Sequence, residues 1–227
     1  MNICEDETTL NLNKLLFKLY DGIVQNGPFK GMITLNESSW DLLSAGLKLV
    51  GGYEREIATD IEKAISRRPF HIVNVGCAEG YYAIGMALAL PRCSVTAIDT
   101  DPKSIDLLRK AAALNKVENQ IIVSKSYFPH NADLIIMDCE GCEISLLNHI
   151  DQLHNTDLII ETHDFVVDGI TNKLCESLRH THSIDIVSSD NDLKVEIMME
   201  DGTKYFMEEH RPEPAKWLIA WKRDRSW

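Results

Sequence analysis

The chain has 227 residues, 44% of them hydrophobic, so it can fill one sizeable core without a structural metal or disulfide. Its formal net charge of −12 argues against a sequence-independent grip on nucleic acid or anionic lipid and reads as a solvated acidic surface. Glu5, Asp6 and Glu7 come early and no apolar run is long enough for a signal peptide or a membrane span, so a soluble, cytoplasmic protein is expected.

Leu10, Leu12, Leu15, Leu16, Leu19 and Ile23 recur at helical spacing and predict an amphipathic helix over 8–25, ended by Gln25-Asn-Gly-Pro28. Residues 29–33 have too little periodicity to assign. A short helix is expected over 40–50, stopped by Gly51-Gly52, and another over 53–66 with Ile57, Ile61, Ala64 and Ile65 on one face. From residue 70 the rhythm changes. Apolar runs at 72–75, 95–99, 121–123, 132–138 and 158–161 read as strands. Helices are expected at 82–90, 102–115, 144–150 and 171–181. This alternation specifies a parallel sheet covered on both faces. Runs at 183–187, 194–198, 204–207 and 217–221 then follow without helices, with a hairpin turn at Asp201-Gly202, and are expected to form an antiparallel edge on that sheet. No internal repeat, low-complexity tract or flexible linker interrupts the chain.

The stretch that organises the sequence is the first strand, the turn Gly76-Cys-Ala-Glu-Gly80 and the helix after it. Such a unit lets a ligand approach the backbone beside a helix N-terminus. Asp99 ends the second strand, 23 residues beyond Gly76, where a carboxylate accepts both hydroxyls of a ribose. A dinucleotide site would need Gly-x-Gly-x-x-Gly, yet Ala78 and Tyr81 stand at its second and third glycines. Glu79 would also sit poorly against a pyrophosphate. The expected ligand therefore carries a ribose and no phosphate, which fits S-adenosylmethionine.

Three segments resemble the FkbM-type family of class I S-adenosylmethionine-dependent methyltransferases: Asn74-Val-Gly-Cys-Ala-Glu-Gly-Tyr-Tyr82, Met137-Asp-Cys-Glu-Gly-Cys-Glu143 and Ile160-Glu-Thr-His163. Asn74 stands where the family commonly has Asp. Tyr53-Glu54 also resembles the family's Tyr-Glu pair. The resemblance covers residues 50–165 well. It implies a Rossmann-like, seven-stranded, mostly parallel sheet with the methyltransferase domain at 67–227 and a helical cap or lid at 1–66. It implies a donor site built from Glu54, Asn74, Gly76, Cys77, Ala78, Glu79, Gly80, Tyr81 and Asp138, with Asp99 on the ribose, Thr100 at the adenine edge, and Ser126 and Tyr127 flanking the adenine.

Asp138, Glu140, Glu161, His163 and Asp164 would converge from adjacent strand ends. Two mechanisms suit them. His163 could act as general base on an acceptor hydroxyl, with its tautomer held by a carboxylate such as Glu161. Alternatively, Asp138, Glu161 and His163 could ligate Mg²⁺ or another divalent ion that orients the hydroxyl and lowers its pKa. Glu140 and Glu143 are expected to play supporting roles. The leading expectation is O-methylation of a small or carbohydrate-like acceptor. The alternatives are N-methylation and a non-catalytic S-adenosylmethionine-binding module; a nucleotide-dependent oxidoreductase is disfavoured by Ala78 and Glu79. No nucleic acid or membrane partner is expected; a small-molecule acceptor is, and a homodimer is open. The six cysteines read as reduced thiols: Cys139 and Cys142 form a Cys-x-x-Cys pair, but no second pair completes a zinc site. His180 and His182 read as an exposed pair, and Trp40 as a candidate acceptor contact.

Overall fold

The computed structural model describes residues 3–39, 42–125, 131–189, 194–198, 201–209 and 215–223. Its strands are β1 (His71–Val75), β2 (Ser94–Ile98), β3 (Ile121–Ser124), β4 (Leu134–Met137), β5 (Asp157–Thr162), β6 (His182–Ser188), β7 (Val195–Met198), β8 (Lys204–Met207) and β9 (Lys216–Lys222). Seven of them form one sheet in the order β3-β2-β1-β4-β5-β9-β6. β1 to β5 pair in parallel, and β9 runs antiparallel between β5 and β6. The order reverses beside β1, which puts a crevice at the carboxyl ends of β1, β2 and β4.

Successive strand residues point to opposite faces, and each face meets its own helices. Ile72, Leu134 and Ile136 join a cluster with Ile61 and Ala64 of α3 (Ala58–Ser66), Ile84 and Met86 of α4 (Tyr81–Ala89), and Leu108 and Ala111 of α5 (Pro102–Leu114). Val73, Ile135 and Met137 pack on the other side with Leu146 of a 3₁₀ helix (Cys142–Gln152) and with Leu174 and Leu178 of α6 (Ile170–Leu178). Burial on both faces explains why β4 is an unbroken Leu-Ile-Ile-Met run; each such side chain contributes about 1.5–3 kcal/mol.

The remaining helices, α1 (Ile3–Tyr20) and α2 (Ala45–Val50), lie in the N-terminal extension. α1 starts earlier than its leucine spacing predicts, and it also stops earlier, because Asp21 and Gly22 turn left-handed and reverse the chain into a bridge between Ile23 and Ile33. The segment read as one helix over 53–66 is broken: Glu54 is left-handed, and a 3₁₀ turn at Arg55–Ile57 precedes α3. The C-terminal strands depart further from expectation. β6 and β9 join the sheet, but β7 and β8 form a separate hairpin. Their apolar face, Ile197 and Met207, packs instead on Leu12 and Leu16 of α1 and Leu47 and Leu49 of α2. No helix among the described residues is long and apolar enough to cross a membrane.

The expected exposed pair at His180 and His182 is corrected by the fold. His182 is 0% exposed at the start of β6, and its Nε2 lies 2.8 Å from the Thr156 carbonyl, to which it donates. Burial pushes its pKa below the ordinary 6.5, although that hydrogen bond opposes the shift. The unfolded chain therefore takes up a proton near pH 6.5 that the folded chain resists. The stability contributed by neutral His182 is fully present above that pH and is lost as pH falls through the depressed folded value. Between about pH 7.5 and about pH 5.5, the thermal midpoint of the parent should fall further than that of His182→Gln. Equal slopes would remove this residue from the acid response.

Candidate active site

β1 delivers the chain into a turn that only certain residues can make. Gly76 is left-handed (φ +71°), and a Cβ there would lie 1.5 Å from the Asp138 carbonyl oxygen. Gly80, at φ +96°, precedes the first residue of α4, and its Cβ would meet Leu108 at 2.3 Å. Between them Ala78 is also left-handed (φ +45°). Three hydrogen bonds pin the turn to the end of β2. Gly76 N and Cys77 N both donate to the Ile98 carbonyl, and Ala78 N donates to Asp99 Oδ2 at 2.9 Å. Asp99 Oδ1 accepts from Asp101 N, while Asp101 itself caps α5 by accepting from Lys103 N and Ser104 N. Asp99 is thus not the helix cap. It is half-buried on the wall of the crevice, and a carboxylate with one bond per oxygen keeps lone pairs for two further donors.

The crevice is a cavity of about 570 Å³, within the roughly 300–1,000 Å³ range of small-molecule sites. Its wall takes in Asn74, Gly76 to Glu79, Tyr81, Asp99, Thr100 and Asp138. Asn74 donates through Nδ2 to the Ile136 carbonyl, and its buried Oδ1 has no partner among the described residues. Burial, and then the charge of Asp99, push the Cys77 thiol up, so it stays neutral.

The N-terminal extension closes one side of this cavity through Ser39, Lys48 and Tyr53. Lys48 Nζ sits 2.5 Å from Glu79 Oε1 and 4.7 Å from the Tyr53 ring centroid. Ser38 and Ser39 hydroxyls donate to the other Glu79 oxygen. Burial alone would lift the Glu79 carboxyl, but the charge and hydrogen bond of Lys48 outweigh it and hold its pKa below the ordinary carboxylate value. Glu54, expected at the donor, is buried and accepts from the Tyr82 hydroxyl; it is not on the cavity wall. Ser126, Tyr127 and Trp40 fall outside the described residues.

Asp138 leaves β4 and belongs both to this cavity and to a buried polar cluster. His163, 2% exposed, follows β5, and its Nδ1 lies 2.6 Å from Glu143 Oε1. Glu143 is 0% exposed and a carboxylate only accepts, so His163 donates from Nδ1. That choice leaves Nε2 facing Glu140 Oε2 at 3.5 Å, and Asp138 Oδ1 and Glu161 Oε2 at 3.6 Å each. Burial would lower the His163 pKa, but the hydrogen bond to Glu143 and the charges of Glu143, Asp138 and Glu140 overcome it, and the pKa rises above 6.5. Burial raises the Glu140 carboxyl, against the charge of His163. Three carboxylates converging on one nitrogen call for a positive charge between them, either a proton on Nε2 or a bound cation. The ligand atoms of Asp138, Glu161 and His163 lie within 4.8 Å of one another, which suits a divalent ion held by oxygens and one imidazole.

The expected orienting carboxylate, Glu161, is displaced from that role by Glu143. Asp164 lies apart from the cluster: it accepts from Thr171 and pairs with Lys216. The cysteines also depart from expectation, since Cys139 and Cys142 are joined in a disulfide at the cavity wall while Cys77, Cys93 and Cys175 are free.

A sequence model of the TRM5/TYW2 methyltransferase domain matches residues 62–187, more than half of the chain. The chain belongs to that family. It is an S-adenosylmethionine-dependent methyltransferase. The TRM5/TYW2 match runs from within α3 into β6, so it takes in the glycine turn, Asp99, Asp138 and His163, whereas Lys48 and Tyr53 precede it. No curated protein matches the sequence. Among solved structures, the precorrin-6Y C5,15-methyltransferase of Geobacter metallireducens is 14% identical over 72% of this chain and 88% of its own, with a TM-score of 0.52. The precorrin-8w decarboxylase of Methanobacterium thermoautotrophicum is 17% identical over 72% and 90%, with a TM-score of 0.53. An S-adenosylmethionine-dependent O-methyltransferase of Thermotoga maritima is 12% identical over 77% and 67%, also at 0.53. These likenesses show a shared fold.

Proposed function

We propose that this enzyme is of the FkbM type and methylates a hydroxyl of a small or carbohydrate-like acceptor in the cytoplasm, with no nucleic acid or membrane partner. The observation that supports it is the grouping of Asp138, Glu161 and His163 within 4.8 Å at the edge of a cavity that fits the methyl donor. That fit rests on the unpartnered Asn74 oxygen and on the lone pairs of Asp99. When bound, S-adenosylmethionine supplies an electrophilic methyl on a sulfonium. The chain's part is to bind and align. Asp99 would accept from ribose hydroxyls, and the turn from Gly76 to Gly80 would present its backbone to the amino acid end. Asp138 would receive the acceptor hydroxyl, where deprotonation is the remaining task.

Asp138, Glu161 and His163 would hold a divalent cation, Mg²⁺ among the candidates, which supplies Lewis acidity that lowers a hydroxyl pKa. A second reading dispenses with the ion: above the raised pKa of His163, its Nε2 carries no proton while Nδ1–H is held by Glu143, and it draws the hydroxyl proton through Asp138. Loss of turnover on chelation, restored by Mg²⁺, supports the first; indifference to chelator supports the second.

Calorimetric titration of the purified chain with S-adenosylmethionine, S-adenosylhomocysteine and NAD tests the donor. Both sulfur ligands should bind in the micromolar range, about −8 kcal/mol, and NAD should not. Binding of NAD alone would overturn the reading. Hydroxyl and amine acceptors assayed in parallel separate O- from N-methylation, and failure of every acceptor would favour a non-catalytic module.

A further inference from the structure

We propose that Cys139 and Cys142 are a redox modification site whose oxidant is a small-molecule disulfide of the glutathione class, and that its state sets the affinity of the neighbouring cavity. The pair is placed for this by what it encloses. The disulfide spans only Glu140 and Gly141, with Cα atoms 5.6 Å apart, and both cysteines line the cavity. Asp138 immediately precedes the ring, and Glu143, the partner of His163, immediately follows it. Within the ring, Glu140 and Gly141 are both left-handed, at φ +55° and +107°. A non-glycine residue holds that conformation only when its surroundings enforce it. The turn is also wedged against the loop after His163, since a Cβ on Gly141 would meet Val166 at 2.6 Å. Opening the ring frees the two left-handed residues at the point where the cavity wall and the buried cluster join.

The exchange balances without any further reactant. The sulfur of Cys142, the more exposed residue of the pair, attacks one sulfur of the small disulfide, whose S–S bond breaks and releases a first thiol. The Cys139 sulfur then attacks the mixed disulfide at Cys142, and a second thiol leaves. Two electrons and two protons pass from the cysteines to the small molecule. A dithiol reverses the sequence. Transient disulfides of this kind are the usual form in a reducing compartment.

The effect on affinity rests on the donor reading above, so the experiment separates the two. The full-length chain is equilibrated with oxidised glutathione or with dithiothreitol. The bond is read by peptide mass spectrometry, and the affinity for S-adenosylhomocysteine by calorimetry. The proposal expects a 139–142 linked peptide in the oxidised sample and, on reduction, an affinity weaker by on the order of tenfold, because the ligand must then order the turn itself. Cys142→Ser and Cys139→Ser should each fix the affinity near the reduced value and remove its response to glutathione. Absence of the linked peptide overturns the proposal, as does equal affinity in both states. A linked peptide with no S-adenosylhomocysteine binding in either state overturns the donor reading, and with it the claimed effect on the site.

Discussion

Replacing His163 by Ala is expected to cut methyl transfer on the order of a thousandfold, about 4 kcal/mol in the barrier, while S-adenosylhomocysteine affinity changes by no more than about threefold. The split follows from position. His163 lies off the cavity wall and reaches it only through Asp138 and Glu140, so the donor loses little when the ring is removed. The chemistry loses more: Nε2 is the nitrogen around which Glu140, Asp138 and Glu161 converge, and either a cation or a transferable proton depends on it. The alanine variant also takes the His163 donor from the buried Glu143 carboxylate, leaving it the Gly141 N–H, which costs stability of its own. His163→Asn answers that objection, because its amide can still donate toward Glu143. Its thermal midpoint should stay closer to the parent while turnover remains as low as in the alanine variant. Parent-like turnover in His163→Asn would remove Nε2 from the mechanism.

The second large effect is expected at Gly76. An alanine there meets two separate penalties. Its φ of +71° costs about 1–2 kcal/mol for a residue with a Cβ. The Cβ would also stand 1.5 Å from the Asp138 carbonyl oxygen, which forces the ends of β1 and β4 apart where they pair, Val75 against Met137. The sum should reach about 3 kcal/mol, lowering the thermal midpoint by about 6–12 °C in a chain of this size. S-adenosylhomocysteine affinity should fall at least about a hundredfold, since displaced backbone is the cavity wall itself. Gly169→Ala is the matched control: it is left-handed at φ +67° with nothing within 4 Å of its Cβ, so it carries the first penalty alone. If the two variants lose stability and affinity equally, close approach of backbone is not what Gly76 provides.

The parallel half of the sheet is readable from the sequence because burial on both faces leaves unbroken apolar runs such as Leu134 to Met137, which few other structures would tolerate. The glycine turn is readable for a related reason, since small residues there announce backbone contact. What resists reading is set by pairing at long range. Val195 to Met198 and Lys204 to Met207 look like any edge strands, and only the leucines of α1 and α2 draw them away from the sheet. Glu161, two residues away, is the nearer orienting carboxylate along the chain, but the fold brings Glu143, 20 residues away at the start of the 3₁₀ helix, onto His163 Nδ1. The Lys48 partner of Glu79 is 31 residues away in a segment that carries no motif. Ala78 and Glu140 adopt left-handed conformations that their side chains do not advertise. His182 alternates into the core only because β6 pairs with β9, with His182 opposite Lys222.

The placement of β9 has a consequence for assembly. It follows the other eight strands in the chain, yet it sits inside the sheet, between β5 and β6. Until residues 216–222 are available, β5 and β6 each present an unpaired edge, and Trp217, whose ring packs on Tyr82 of α4, has not arrived. The donor's glycine turn and the helix after it are therefore translated early but locked late. A nascent chain holding every residue of the candidate site still lacks the strand that closes its core, and is most exposed to mispairing at that stage.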